Sequence, residues 1–183
     1  MKRICIFLAF VFGLSVAHAQ DFSVENSCLK ATKIFENTNL NAEQTHQQMT
    51  LFFGSFFNNV NKACMVDTPT KLLYKFEGEV AQIAKGLGLY HTFYASLELE
   101  VSIKDNRMRV VISCDKIDTP DMHPYDGYNP AINYPATNEH DVWASGVTKK
   151  QAQTIFDGTI FFMTKTIEKI EKTLQEYSAD DEW

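Results

Sequence analysis

The sequence lacks the motifs that carry most enzyme chemistry. Its four cysteines and five histidines form no closely spaced cysteine pair and no His-x-x-x-His helix motif, so no zinc site is predicted. A glycine-rich phosphate loop and the strand-turn-helix setting of a nucleophilic serine are also missing. We therefore predict no catalytic residue, no metal ligand and no cofactor, and we expect surface positions for His46 and His91.

Positive charge is also scarce. Seventeen lysines and arginines stand against 23 aspartates and glutamates, which gives a formal net charge of −6. Proteins bind polyanions largely through cations that displace counterions. We therefore do not expect this chain to bind nucleic acid or an anionic lipid surface.

The first 19 residues have the composition of an export signal. A basic pair, an apolar stretch of about thirteen residues and the small-x-small sequence Ala17-His18-Ala19 follow one another, and the stretch is too short to span a membrane. We expect a signal peptide over 1–19 with cleavage before Gln20. The mature chain, 20–183, would be one soluble domain in the periplasm or outside the cell.

The clearest structural signal is YASLELEVSIKDNRMRVVISCDKI, in which apolar and polar residues alternate as in a half-buried strand. Asp105-Asn106 tolerates the backbone of a tight hairpin turn. Such a turn pairs apolar residues throughout: Ile103 with Met108, Val101 with Val110, Leu99 with Ile112, and Leu97 with Cys114. A slip of one residue would turn an apolar set toward water, so the register is well determined. Glu98, Glu100 and Arg109 would lie on the opposite, solvated face.

The remaining segments complete an α+β domain. KLLYKF and VAQIAKGLGL are predicted to be two strands joined at Glu77-Gly78, with Leu72 opposite Ile83 and Tyr74 opposite Ala81. LKATKIF, residues 29–35, is a fainter strand.

Two capping boxes, Asn41 with Gln44 and Thr148 with Gln151, predict helices over about 42–60 and 148–178. The expected order is β-α-β-β-β-β-loop-α. This is an antiparallel sheet of about five strands with two long helices on one face, a core over 28–117 and a loop over 121–146.

The second helix has an apolar stripe that repeats about every 3.5 residues. Its members are Phe156, Ile160, Met163, Ile167, Ile170, Leu174 and Tyr177. The stripe could be the seam of a coiled coil through which the protein self-associates, or one face of a single helix packed on the sheet. The single helix is favoured because the repeat is short and Phe161 and Phe162 widen it. Gly158 is a mild helix breaker.

Three cysteines follow the leader: Cys28, Cys64 and Cys114. If the first helix runs back along the first strand, it ends near the start of that strand and brings Cys64 close to Cys28. We therefore expect a Cys28–Cys64 disulfide, which an oxidising compartment would permit, and a buried free thiol at Cys114.

The run from Lys30 to Ile117 resembles a family of exported Bacteroidota domains of unknown function that have a TATA-binding-protein-like (TBP-like) fold. The helix QTHQQMTLFFGSFFNN, the strand IAKGLG and the hairpin YASLELEVSIKDNRMRVVI carry the resemblance. It implies the fold and brings no catalytic residue, and the fold alone does not imply DNA binding. The 121–143 insertion and the long C-terminal helix depart from the usual pattern of the family.

The stretch DMHPYDGYNPAINYPATNEHDVW, residues 121–143, combines aromatic and hydrogen-bonding side chains. Tyr125, Tyr128, Tyr134 and Trp143 could bind a glycan or a peptide, since such side chains offer large contact areas with polar ends. They could equally fold inward and fix a long loop to the domain. His123 and His140 also lie here, without ligand spacing for a metal.

Our leading hypothesis is a non-enzymatic envelope module that binds or scaffolds another component. The alternative is a hydrolase that acts on envelope glycans or peptides, with or without a metal. Glu98 and Glu100 would share one strand face roughly 7 Å apart, a separation found in glycosidases. Alternating surface strands produce the same spacing without any function, so binding remains the favoured hypothesis.

Overall fold

The computed structural model describes residues 20–25, 28–36, 38–86, 89–118 and 148–180. The predicted signal peptide, 1–19, lies outside these residues. So does the predicted aromatic loop with Tyr125, Tyr128, Tyr134 and Trp143.

The described chain forms one antiparallel sheet covered by helices on one face. In chain order the elements are β1 (Asp21–Glu25), β2 (Cys28–Glu36), α1 (Ala42–Phe56), α2 (Val60–Ala63), β3 (Cys64–Thr68), β4 (Lys71–Gly86), β5 (Leu89–Lys104), β6 (Arg107–Asp118) and α3 (Lys149–Asp180). The six strands lie in the order β1-β2-β6-β5-β4-β3. The predicted α+β class is confirmed, with one more strand than expected.

The predicted β5–β6 hairpin is confirmed in every pair. Leu97, Leu99, Val101 and Ile103 face Cys114, Ile112, Val110 and Met108, and all eight side chains are buried. Asn106 has a φ of 57°, the left-handed conformation that a tight turn requires. This hairpin forms the centre of the sheet and of the core.

The predicted turn at Glu77-Gly78 is wrong, because β4 is one strand of 16 residues. Leu72 pairs with Val101 on β5, and Ile83 pairs with His91. Gly78 faces the core beneath a ring of α3: a Cβ there would lie 2.5 Å from Cζ of Phe162. The glycine is therefore explained by the close approach of a helix to the strand, and not by a turn.

The sequence did not predict the two edge strands, β1 and β3. Each has five residues, and β3 is interrupted by a bulge between Cys64 and Val66. The first helix is shorter than predicted, since α1 ends at Phe56 and Phe57 turns to an extended conformation. Its predicted capping box at Asn41 and Gln44 is present.

The predicted Cys28–Cys64 disulfide is wrong. Cys28 begins β2 and Cys64 begins β3, at opposite sides of the sheet, and no disulfide joins them. Three strands lie between them, a distance on the order of 19 Å at the usual strand spacing, whereas a disulfide needs Cα atoms within about 7 Å. The prediction assumed that the chain after α1 returns beside β2, but it joins the far edge instead. Cys114 is buried, as predicted.

The long C-terminal helix is a single amphipathic helix packed on the sheet, as favoured. Its capping box is confirmed, with Gln151 Oε1 2.8 Å from the Thr148 nitrogen and the reciprocal bond at 3.3 Å. Its buried positions are Ala152, Ile155, Thr159, Met163, Thr166, Ile167, Ile170 and Leu174. Because the predicted stripe is largely covered by the protein's own sheet, it is not a free seam for self-association.

Candidate functional site

The sheet face opposite the helices is polar and forms a candidate ligand-binding surface, which we call the open face. Side chains from four strands align across it, as in the row Lys30, Ser113, Glu98 and Lys75. A cavity of about 350 Å³ lies over β1, β2, β6 and β5. A second of about 940 Å³ shares Glu98 and Ser113 with it and extends to the α1–α2 turn at Asn58.

Ion pairs between neighbouring strands order the side chains of the open face. Lys75 Nζ lies 3.1 Å from a Glu98 oxygen, and Lys71 Nζ lies 2.8 Å from a Glu100 oxygen. Arg109 approaches the other Glu100 oxygen at 3.4 Å. The acidic residues of β5 are thus flanked by cations of β4 and β6, which leaves no continuous positive surface of the kind that polyanions bind.

Glu98 and Glu100 share one face, as predicted, but Glu100 is not suited to the proton-donor role in glycosidase chemistry. The hydrogen bond from Lys71 lowers the pKa of Glu100, and the charges of Lys71 and Arg109 and a hydrogen bond from Ser102 add to this against partial burial. A glycosidase needs one carboxyl whose pKa is raised, so that it can donate a proton. Glu100 is shifted in the opposite direction and acts as an ion-pair partner.

At the β3 edge of the sheet lie two candidate reactive side chains, Cys64 and His46. His46 Nε2 lies 2.6 Å from Asp67 Oδ1 and ties α1 to β3. Burial raises the pKa of the Cys64 thiol, and the charge of Asp67 raises it further, so the nucleophilic thiolate is disfavoured. Burial also raises the pKa of Tyr74 to about 12. The raised pKa values favour the protonated forms of the Cys64 thiol and the Tyr74 hydroxyl.

Of the other histidines after the predicted signal peptide, one lies within the described residues and two lie outside them. His91 was expected at the surface, but it lies within β5 and is half-buried. His123 and His140 lie outside the described residues. Across 20–25, 28–36, 38–86, 89–118 and 148–180, no three histidine, cysteine, aspartate or glutamate side chains are grouped so that they could hold a metal ion.

A further surface cavity lies where β4 meets the end of α1 and the middle of α3, and we call it the aromatic groove. Its volume is about 540 Å³, and its walls include Phe56, Phe161 and Phe162. Lys165 and Lys169 stand at its rim, each with its amino group over an aromatic ring. In the sequence, the adjacent pair Phe161 and Phe162 was the signal for this surface. The β4 residues that complete the groove could not be predicted.

The predicted ligand residues Tyr125, Tyr128, Tyr134 and Trp143 stay a prediction, since they lie outside the described residues. Among the helices that the structure describes, none has the length and apolarity needed to cross a membrane.

Comparison with known proteins identifies the fold. No family model matches the sequence, and no curated protein matches it. A solved DUF4468 family protein from Bacteroides ovatus superimposes with a TM-score of 0.59 and 10% identity, over 84% of this chain and 90% of that one. A TBP-like protein from Parabacteroides distasonis gives 0.56 and 10%, over 84% and 96%. At this identity the likeness shows the fold, and it confirms the predicted TBP-like architecture.

Proposed function

We propose that this protein is a non-enzymatic module of the bacterial envelope that binds or scaffolds another component, exported by the signal peptide over 1–19. The ion-paired open face is the observation that supports this. Its side chains are held in one arrangement by cross-strand pairs, so a polar ligand would meet donors and acceptors that are already ordered. A glycan or a peptide has the hydrogen-bonding groups that such a surface fits.

The alternative, a hydrolase with or without a metal, is favoured by no observation on the described residues. Within the Glu98/Glu100 pair, the lowered pKa of Glu100 opposes a proton-donor role for that residue. The predicted loop with Tyr125, Tyr128, Tyr134 and Trp143 remains a proposed extension of the binding surface.

Binding through the open face is tested with arrays of envelope polysaccharides and oligopeptides, probed with the mature chain and with charge variants. Lys75→Glu places two glutamates side by side and should weaken both binding and folding. The double variant Lys75→Glu/Glu98→Lys restores the ion pair with reversed polarity, so it should recover the melting temperature but not the binding. Unchanged ligand binding by the double variant would contradict a role for this face.

The absence of catalysis is tested with chromogenic glycosides and peptides. We expect no turnover above buffer. Turnover that disappears in Glu98→Gln or His140→Ala, but persists in the control Glu36→Gln, would overturn the proposal in favour of the hydrolase. Glu36 is a suitable control because it is also ion-paired, with Arg107 at 3.0 Å, but lies at the far end of the sheet.

A further inference from the structure

The aromatic groove is separate from the open face and lies beside a part of β4 that no described strand covers. β3 pairs with β4 from Lys71 to Tyr74, and beyond that β4 has a described strand neighbour on its β5 side alone. Near the groove a bulge at Val80 interrupts the regular edge of β4, and Gly158 of α3 lies against the Val80 carbonyl. A ligand there would therefore be held by side chains, and not by addition of a strand.

The walls of the groove are apolar and partly exposed. Phe161 leaves 63% of its surface accessible, while Phe56 and Phe162 are half-buried, Phe162 against the core. Val80 and Ala81 form the β4 side of the groove. A volume of about 540 Å³ falls in the range of specific ligand sites and is large enough for several side chains.

Two lysines at the rim favour a ligand with negative charge. Lys165 and Lys169 are one helical turn apart on α3, with their amino groups 5.7 Å from the Phe161 ring and 5.5 Å from the Phe56 ring. Lys165 also pairs with Glu168. In the described part of the chain, Lys169 has no carboxylate within ion-pairing distance. It is therefore available to an external anion.

The side chains at the opposite rim favour a peptide over a membrane surface as the ligand. Glu79 and Gln82 stand there, joined by a hydrogen bond of 2.9 Å. A carboxylate facing the ligand would repel an anionic lipid surface, whereas a peptide can present its backbone N–H groups to Glu79 and a carboxylate to Lys169.

We propose that the aromatic groove binds an acidic peptide segment of a partner protein, with an apolar side chain against Phe161 and Phe162 and a carboxylate at Lys169. Aromatic side chains inside a polar, solvent-accessible rim are typical of protein interfaces. The proposal concerns a surface other than the open face and goes beyond the function proposed above.

The test is selection of hexapeptides from a random phage-displayed library on the full mature chain. Enriched sequences should combine aspartate or glutamate with a large apolar residue. Their affinity should fall by about tenfold, the effect of losing one good contact, in both Lys169→Glu and Phe161→Ser. Circular dichroism would confirm that both variants fold, which is expected because both side chains project from the surface.

Matched controls come from the same helices. Lys172→Glu changes an equally exposed lysine that pairs with Glu176 outside the groove, and Leu51→Ser removes an aliphatic side chain that is 66% exposed on α1. Both should bind the selected peptides as the wild type does, and so should Lys75→Glu/Glu98→Lys on the open face. Failure to enrich acidic sequences, or equal loss in the controls, would overturn the proposal. Binding to phosphatidylglycerol vesicles that Lys169→Glu abolishes, without peptide selection, would assign the groove to lipid instead.

Discussion

At the scale of single residues, three glycines differ in the space that a Cβ would find around them. A Cβ on Gly158 would lie 1.9 Å from the Val80 carbonyl oxygen, and a Cβ on Gly78 would lie 2.5 Å from the tip of Phe162. A Cβ on Gly54 in α1 meets nothing within 4 Å. The backbone of Val80 cannot yield easily, whereas the end of a phenylalanine ring can move.

We therefore expect Gly158→Ala to be the most destabilising of the three alanine variants. Gly78→Ala should lower the free energy of unfolding by about 1–3 kcal/mol, the usual effect of overpacking, and Gly158→Ala by more. Gly54→Ala should raise it by roughly 0.5–1 kcal/mol, because alanine favours the helix. Urea unfolding measures all three, and a stabilising Gly158→Ala would show that α3 does not approach β4 as described.

The stability of the open face should depend on acidic pH through Glu100. Its folded pKa lies below the usual value of 4.5, so its ion pairs stabilise the fold above that pH. The stabilisation is lost as the pH falls through the lowered pKa. Glu100→Gln should therefore lower the unfolding free energy at pH 7, by about 1 kcal/mol after solvent screening, and should have no effect once the pH is below the folded pKa.

Urea unfolding at several pH values compares Glu100→Gln with the wild type. In a Lys71→Met background the effect of Glu100→Gln should shrink, because the main hydrogen-bond donor is already gone. An equal effect at all pH values would mean that the change disturbs packing and not an ion pair.

At the scale of elements, the β5–β6 turn also anchors α1. Asp105 Oδ1 accepts a hydrogen bond of 2.9 Å from the Ala42 nitrogen at the first turn of α1. The Asn106 nitrogen donates to the Leu40 carbonyl at 3.0 Å, and Thr38 donates to the Asn106 carbonyl at 3.3 Å. The sequence predicted this turn from its conformation, but the contact with a helix 63 residues away in the chain has no local signal.

Asp105→Ala should lower the free energy of unfolding by about 1–2 kcal/mol, since it removes a cap from the N-terminus of α1. Asp105→Asn keeps an oxygen acceptor and should lose less. Chemical denaturation is the measurement, and the neighbouring exposed residue provides the control Lys104→Ala. If alanine and asparagine were equivalent at 105, the bond to Ala42 would contribute nothing.

The elements that could be predicted are those whose signals are local. The hairpin register follows from alternation on both sides of Asp105-Asn106, and the two long helices follow from their capping boxes. β4 was predicted as two strands because a glycine such as Gly78 is typical of a turn. Here the close packing of α3 against the strand requires the glycine. The edge strands were missed because five residues give too little alternation to detect, and β3 also contains a bulge.

At the scale of the whole molecule, the path of the chain after α1 decides what lies together. The open face needs cations from β4 beside carboxylates of β5, and the order β6-β5-β4 supplies them. Each local pattern was visible in the sequence, but the pairing of Lys71 and Lys75 with Glu100 and Glu98 required the register of β4, which was predicted wrongly. A separate error, on the path of the chain after α1, produced the expected disulfide.

Since Cys28 and Cys64 lie on strands that three others separate, they should not become linked in the folded protein. We expect the melting temperature to be the same with and without reductant, and the double variant Cys28→Ser/Cys64→Ser to keep that temperature. Peptide mapping of the unreduced, alkylated protein should recover both cysteines alkylated. A Cys28–Cys64 cross-linked peptide would require β2 and β3 to meet. It would overturn the strand order on which both the open face and the aromatic groove depend.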